Sequence, residues 1–206
     1  MSEGEQQIPS SRKANRGPSV GPQNRRALIA AAREVFASDG LQAPFSAVAK
    51  RAGVGQGSLY RHFPDRLALA VAVFDENLDE LEVAMASPDA TLDDLLESIV
   101  GQAVVSTALI DLIWLNRRDD RVAHLRERLR RLAEILLARE HAAGRIADHV
   151  ETQDVLLAVT MLADVVSRTE AAERPDVARR VRAIFHAAFS APDQPVPALP
   201  SAGSSR

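Results

Sequence analysis

The chain has 206 residues, enough for one or two small domains with buried cores. Hydrophobic residues make up 46% of it and charged residues 26%, a globular balance, and the lack of cysteine excludes disulfides, thiolate zinc sites and a cysteine nucleophile. The net charge of −3 hides an asymmetry: ten Lys/Arg face five Asp/Glu through Arg66, and fifteen face twenty-three beyond it, so a polyanion-binding module is expected in the N-terminal third.

Residues 1–21 are rich in Ser, Gly, Pro and Gln and are expected to form a flexible basic arm, with Arg12, Lys13 and Arg16. Those three either enter a minor groove, as basic arms do, or serve as solubility charges. The first twenty residues hold no apolar run suited to a signal peptide, and no uninterrupted apolar stretch reaches the ~18 residues of a membrane span. A soluble cytoplasmic protein without membrane association is expected.

Helical periodicity starts at Asn24, where Leu28, Ala31, Ala32, Val35 and Phe36 recur at three- and four-residue spacing, and Gly40 is placed to end this helix. Pro44 suits the first position of a short second helix with Phe45, Val48 and Ala49 on its apolar face. A third short helix is expected over Gln56–His62, with Leu59 and Phe63 inward, and a long fourth from Pro64-Asp65 to about Ala86. Ser87-Pro88-Asp89 breaks the chain, and Thr91 with Asp94 three residues on resembles a capping box. One helix or a broken pair spans Leu92–Asn116. The next covers Asp119–Ala143, with Val122, Leu125, Leu129, Leu132 and Leu136 on its seam and Arg126, Arg128 and Arg130 mostly outside it. Two more follow, over Thr152–Thr169 and Pro175–Ser190, before a tail at 191–206 expected to be disordered. No segment alternates with the period of two that strands require. The fold is read as all-α: a three-helix helix-turn-helix domain over 22–66 and a helical-bundle sensing and dimerisation domain over 67–190.

The stretch FSAVAKRAGVGQGSLYRHFPDR, Phe45–Arg66, carries the chemistry. Gly53-Val54-Gly55 joins two short helices, and a turn this tight needs glycine where φ is positive. With Val48, Ala49, Val54 and Leu59 packed on the first helix, the third exposes Gln56, Gly57, Ser58 and Arg61. Gln and Ser can bond base edges in a major groove, and Arg can bond guanine or phosphate. Lys50 and Arg51 read as solvated helix charges. A nucleotide-loop reading of the three glycines fails because no strand precedes them.

This segment resembles the DNA-binding domain of the tetracycline-repressor (TetR) family, matching its pattern at Ala52, Gly53, Val54, Gly57, Leu59, Tyr60, His62, Phe63 and Arg66. The resemblance implies roles: Gln56 and Ser58 at base edges, Gly57 at the groove wall, Tyr60 and His62 at phosphates, and Ser46 touching DNA from the second helix. Arg66 stands for the family's usual lysine at a phosphate. Gly55 and Ala43-Pro44 replace the family's hydroxyl caps, which puts cap-mediated phosphate contacts in doubt. The implied protein is a ligand-released repressor acting as a homodimer on double-stranded operator DNA, without cofactor or metal. The motif itself does not separate repressor from activator or from a non-specific DNA binder.

In the eighth helix Val155, Val159, Leu162 and Val166 form one stripe and Leu157, Met161 and Val165 another, so two faces must be buried. The family's dimer forms through its last two long helices. The first stripe, with Val177, Val181, Ile184, Phe185 and Ala188 of the ninth helix, is therefore expected at the subunit interface. For an unknown small-molecule effector, Gln102, Ser106, Thr107 and Asp111 are polar residues in an apolar run beside Trp114, with Phe74, Met85, Trp114 and Met161 as candidate walls. The other reading is a helix break at Ser106-Thr107 with Asp111 exposed. A small helical enzyme, using His124, His141 and His149 with Glu140 and Asp148, is disfavoured because the spacings fit no zinc signature and no GxSxG elbow is present.

Overall fold

The computed structural model describes residues 20–105 and 107–191, and among these the protein has nine α-helices, one 3-10 turn and no strand. The all-α expectation holds. The arm and the tail lie outside the described residues, apart from Val20 and Gly21, which open the first helix, and Ala191. Among the described residues no helix is long and apolar enough to cross a membrane.

Helix α1 (Val20–Asp39) starts four residues before Asn24, because Pro22 is tolerated in a first turn whose N–H groups have no helical partner. It ends at Gly40, whose φ of +64° lies in the left-handed region that glycine enters without a Cβ clash. After the 3-10 turn, α2 (Phe45–Arg51) has Pro44 as its N-cap rather than its first helical residue, a shift of one position. The turn into α3 (Gln56–His62) needs a positive φ only at Gly53, +65°, while Gly55 sits at −66° as the N-cap. Leu28, Ala32 and Phe36 of α1, Val48 and Ala49 of α2, Leu59 of α3 and Phe63 just after it share one core, which Leu69, Ala70 and Val73 of α4 (Arg66–Ala84) complete.

Helix α4 is a common wall. Its other face, with Leu67, Val71, Leu78 and Leu81, joins the body core against α5 (Leu92–Val105), α7 (Asp120–Ala142) and α8 (Thr152–Arg168). Arg128 of α7 fastens it further, donating to Asp75 at 3.2 Å, Asp79 at 2.6 Å and Glu82 at 2.8 Å. The boundary expected at 66/67 thus falls on a helix that serves both cores. The N-cap of α4 is Asp65, whose Oδ1 accepts the Ala68 N–H at 2.7 Å and whose carboxylate pairs with Arg121 at 2.9 Å. Burial pushes this carboxyl up, but the Ala68 amide and the Arg121 guanidinium outweigh it and hold it below its ordinary 3.8. A carboxyl depressed in the folded state stabilises above its unfolded value and loses that contribution as pH falls through the folded value. Asp65→Ala is expected to cost about 0.5–2 kcal/mol at neutral pH. In chemical denaturation, the gap from the parent protein should close as pH drops below 3.8.

Thr91 and Asp94 close a capping box at α5: the Thr91 N–H donates to Asp94 Oδ2 at 2.9 Å and the Asp94 N–H to Thr91 Oγ1 at 3.1 Å. Helix α5 is described to Val105 and α6 (Thr107–Leu115) from Thr107, and the break expected at Ser106-Thr107 involves Ser106, which lies outside the described residues. In α8 the stripe assigned to the subunit interface faces inward instead. Val155, Val159, Leu162 and Val166 are buried in the protein's own core, and Ala178 of α9 (Arg174–Phe189) packs on the last three. The reason is geometric: α5 and α9 both lie on that side of α8. The opposite stripe stays in solvent, with Leu157 54%, Met161 46% and Val165 38% exposed. On α9, Val181 and Phe185 turn toward the core, Val177 is half-buried, and Ile184 and Ala188 are exposed.

Candidate nucleic-acid interface and internal cavity

Helix α3 buries only Leu59, so its other side chains are free for work outside the domain. Gln56, Gly57, Tyr60 and Arg61 are exposed, and Ser58 and His62 are half-buried. The Tyr60 ring meets Phe45 edge-on, with centroids 5.5 Å apart, which holds the ring while the residue remains 52% exposed. Asn24 Nδ2 lies 3.5 Å from Ser58 Oγ, at the outer limit of a hydrogen bond, so the Ser58 hydroxyl is only weakly engaged. Ser46 is half-buried in the first turn of α2.

Gly57 is the informative position. A Cβ built there meets nothing within 4 Å, and its φ is not positive. Neither packing nor backbone conformation within the chain calls for glycine, and glycine inside a helix is unfavourable by roughly 0.5–1 kcal/mol relative to alanine. Gly101 within α5 has equally open surroundings, so Gly57 marks this face only together with the exposed Gln56, Tyr60 and Arg61 beside it.

Charge on this domain divides into engaged and open groups. Arg51 is ion-paired to Glu34, whereas Lys50 and Arg61 have no ion-pair partner among the described residues. Arg66, expected to point at a phosphate, is half-buried: it donates to the Ala43 carbonyl at 2.6 Å and stacks its guanidinium 5.9 Å from the Phe36 ring centre. Arginine reaches this carbonyl from the first residue of α4, so in this structure the side chain ties α4 to the turn before α2.

Within the body lies a cavity of about 330 Å³. Of the effector residues expected from sequence, Phe74, Gln102 and Trp114 line it. Met85 does not: it is buried in the core where α4 meets α7. Asp111 is exposed and outside the lining, because α6 turns Ile110 and Ile113 inward instead. Met161 lies on the outward stripe of α8, in a shallow surface hollow with Trp114 and Leu115, while Val159, Thr160 and Ala163 face the cavity. Ser106 and the side chain of Thr107 lie outside the described residues.

Sequence reasoning missed Asn77, which is 5% exposed and lines the cavity. Its Oδ1 accepts from Arg33 Nη2 of α1 at 2.7 Å, and its main-chain carbonyl accepts from Gln102 Nε2 of α5 at 3.2 Å. Arg33 also faces Glu76 at 3.6 Å and Glu80 at 3.7 Å on α4. An asparagine within FDENLDEL carries no local mark of burial, so no sequence signal singles it out. Among the described residues no three His, Asp or Glu side chains gather as metal ligands. His124 faces Asp75 at 2.8 Å, and His141 Nε2 lies 3.3 Å from the Ala147 carbonyl.

Residues 28–73 match the family model described as bacterial regulatory proteins, tetR family. No curated protein matches the chain. Among solved structures, a TetR transcriptional regulator from Streptomyces coelicolor is 24% identical, with a TM-score of 0.62 over 82% of this chain and 99% of that one. A TetR regulatory protein from Mycobacterium vanbaalenii is also 24% identical at a TM-score of 0.62, covering 84% and 98%. The fatty acid degradation regulator FadR from Bacillus halodurans is 22% identical at a TM-score of 0.52, covering 76% and 97%. At these identities the likeness shows a shared fold across both the helix-turn-helix and the body. Together with the glycine turn and the open face of α3, the match over 28–73 identifies the N-terminal helices as a DNA-binding domain of the tetR type, on a chain that shares the fold of solved TetR regulators.

Proposed function

We propose that the protein is a repressor that binds a two-fold operator as a homodimer and lets go when a small molecule fills the cavity. The observation that carries the DNA reading is the α3 face, where Gln56, Gly57, Tyr60 and Arg61 are exposed and a Cβ at Gly57 would meet nothing. Gln56 and Ser58 read base edges, Arg61 bonds guanine or phosphate, and Tyr60, His62 and Ser46 meet the backbone. Arg66 acts chiefly by orienting this unit on α4, given its bond to Ala43.

Two recognition helices must sit about one turn of DNA apart, roughly 34–36 Å. The outward stripe Leu157, Met161 and Val165, with Ile184 and Ala188 of α9, is the apolar surface assigned to the two-fold contact that sets this distance. Release runs through α4. Phe74 and Ile113 line the cavity and pack against both the body core and the N-terminal core. Asn77 joins Gln102 on one side to Arg33 of α1 on the other. A ligand that fits one setting of these groups better than another shifts the population away from the DNA-competent spacing.

Selection from a random duplex library with the purified protein tests the reading. The expected result is a two-fold symmetric site. Gln56→Ala should then relax base choice, and Tyr60→Ala should weaken all sites alike. Steeply salt-dependent binding without sequence preference would instead mark a non-specific DNA binder. For Gly57→Ala, thermal melting should show stability unchanged or raised by up to about 1 kcal/mol. Operator titration of the same variant should show affinity reduced about tenfold, near the loss of one good base contact.

A further inference from the structure

We propose that the cavity takes a monoanionic amphiphile: a small apolar body bearing one carboxylate or similar head, with the head held by Arg117 and Arg126. The inference deepens the ligand-release reading and rests on it only for its regulatory consequence.

The walls supply the first half. Twelve of the seventeen lining residues are apolar, three are neutral and polar, and the two charged ones are both arginine. No Asp or Glu lines the cavity among the described residues. Its volume of about 330 Å³ stands at the lower end for small-ligand sites. Of the amides inside, Asn77 is already engaged by Arg33, and its carbonyl by Gln102.

The arginines supply the second half. Helix α7 carries six of them, and five have partners: Arg121, Arg128, Arg130 and Arg131 face carboxylates, and Arg139 donates to the carbonyls of Met85 and Ser87. Arg126 alone has none among the described residues, and neither does Arg117 before α7. Arg126 was expected outside the seam of α7. It lies four residues after Val122 and three before Leu129, and although exposed it borders the cavity. Both guanidinium groups are exposed and therefore belong to the open end of the cavity. At the mouth of an apolar cavity, two positive charges with no carboxylate partner among the described residues favour an anion and repel a cation. Guanidinium groups also match a carboxylate or phosphate head in planar, two-point fashion.

Trp114 is the only tryptophan of the chain and lines the cavity, so its emission reports occupancy. Octanoate, octan-1-ol and octylamine share one tail and differ in head charge. Titrated below micellar concentrations at neutral pH, octanoate is expected to bind at least about tenfold more tightly than octanol, with octylamine weakest. The double variant Arg117→Gln/Arg126→Gln, with unchanged circular dichroism, should abolish this preference and leave octanol affinity as it was. Ala163→Phe, which narrows the cavity, should weaken all three probes. Equal or tighter binding of octanol or octylamine overturns the proposal. So does a silent Trp114 with all three probes, or a preference that survives in the double variant. Operator titration separates the two readings. If octanoate saturates Trp114 and the operator complex stays intact, ligand release fails and the site stands. If the operator is bound and no probe enters, the site fails and the DNA reading stands.

Discussion

Glutamate at both Leu157 and Met161 is expected to leave the protein folded but monomeric, and to weaken operator binding by about a hundredfold or more. Both side chains lie on the outward stripe of α8, 54% and 46% exposed, with Met161 beside Trp114 and Leu115 in a surface hollow. The inward stripe that holds α8, Val155, Val159, Leu162 and Val166, is untouched. In a two-fold contact each substituted residue meets the same patch on its mate, so four carboxylates crowd one apolar surface. Burying unpaired charge is among the costliest changes an interface can suffer. The DNA effect follows because two linked half-site contacts exceed either alone by 10²–10⁴ through effective concentration, a rough range that sets the size of the loss. Light scattering on a sizing column reads the mass, and a duplex titration reads the affinity. A variant that stays dimeric would move the interface elsewhere on the molecule.

Asn77→Leu should produce the second large effect, a protein that still binds operator but no longer hears its cavity. The substitution removes the acceptor that Arg33 uses at 2.7 Å and leaves a partly buried guanidinium short of a bond. Loss of a bond to a charged group in such a place costs about 1–3 kcal/mol, which urea unfolding measures. The functional loss is more specific. With octanoate as the probe, operator affinity of the parent protein should fall at least tenfold at saturation, and that of the variant less than about threefold, since the link from α5 through α4 to α1 is cut. Asn77→Asp keeps an acceptor for Arg33 and should restore much of the response. Equal octanoate sensitivity in parent and Asn77→Leu would remove Asn77 from the release mechanism and return that role to the packing of Phe74 and Ile113.

Each misplacement has a physical cause of its own. Two stripes on α8 were visible in sequence, and so was the need to bury both. Which one faces inward depends on where α5 and α9 pack, and α5 is distant from α8 in sequence. Met161 followed the wrong stripe into the effector set for the same reason. Met85 is apolar and close to the cavity in sequence order, but it falls one end of α4 away from it, in the core with α7. Arg66 kept its place in the motif, while its guanidinium found a carbonyl that sequence offers no means of seeing.

What the chain states locally, it states clearly. Gly40 and Gly53 mark left-handed turns, Thr91 and Asp94 mark a helix start, and the run from Ala52 to Phe63 marks a helix-turn-helix with an open polar face, because each depends only on residues within a few positions of itself. The inward stripe of α8, the burial of Asn77 between Arg33 and Gln102, and the pair of arginines beside an apolar cavity were decided by the tertiary structure alone. They depend on contacts between segments far apart in sequence, and helical periodicity records that a face is buried without recording against what.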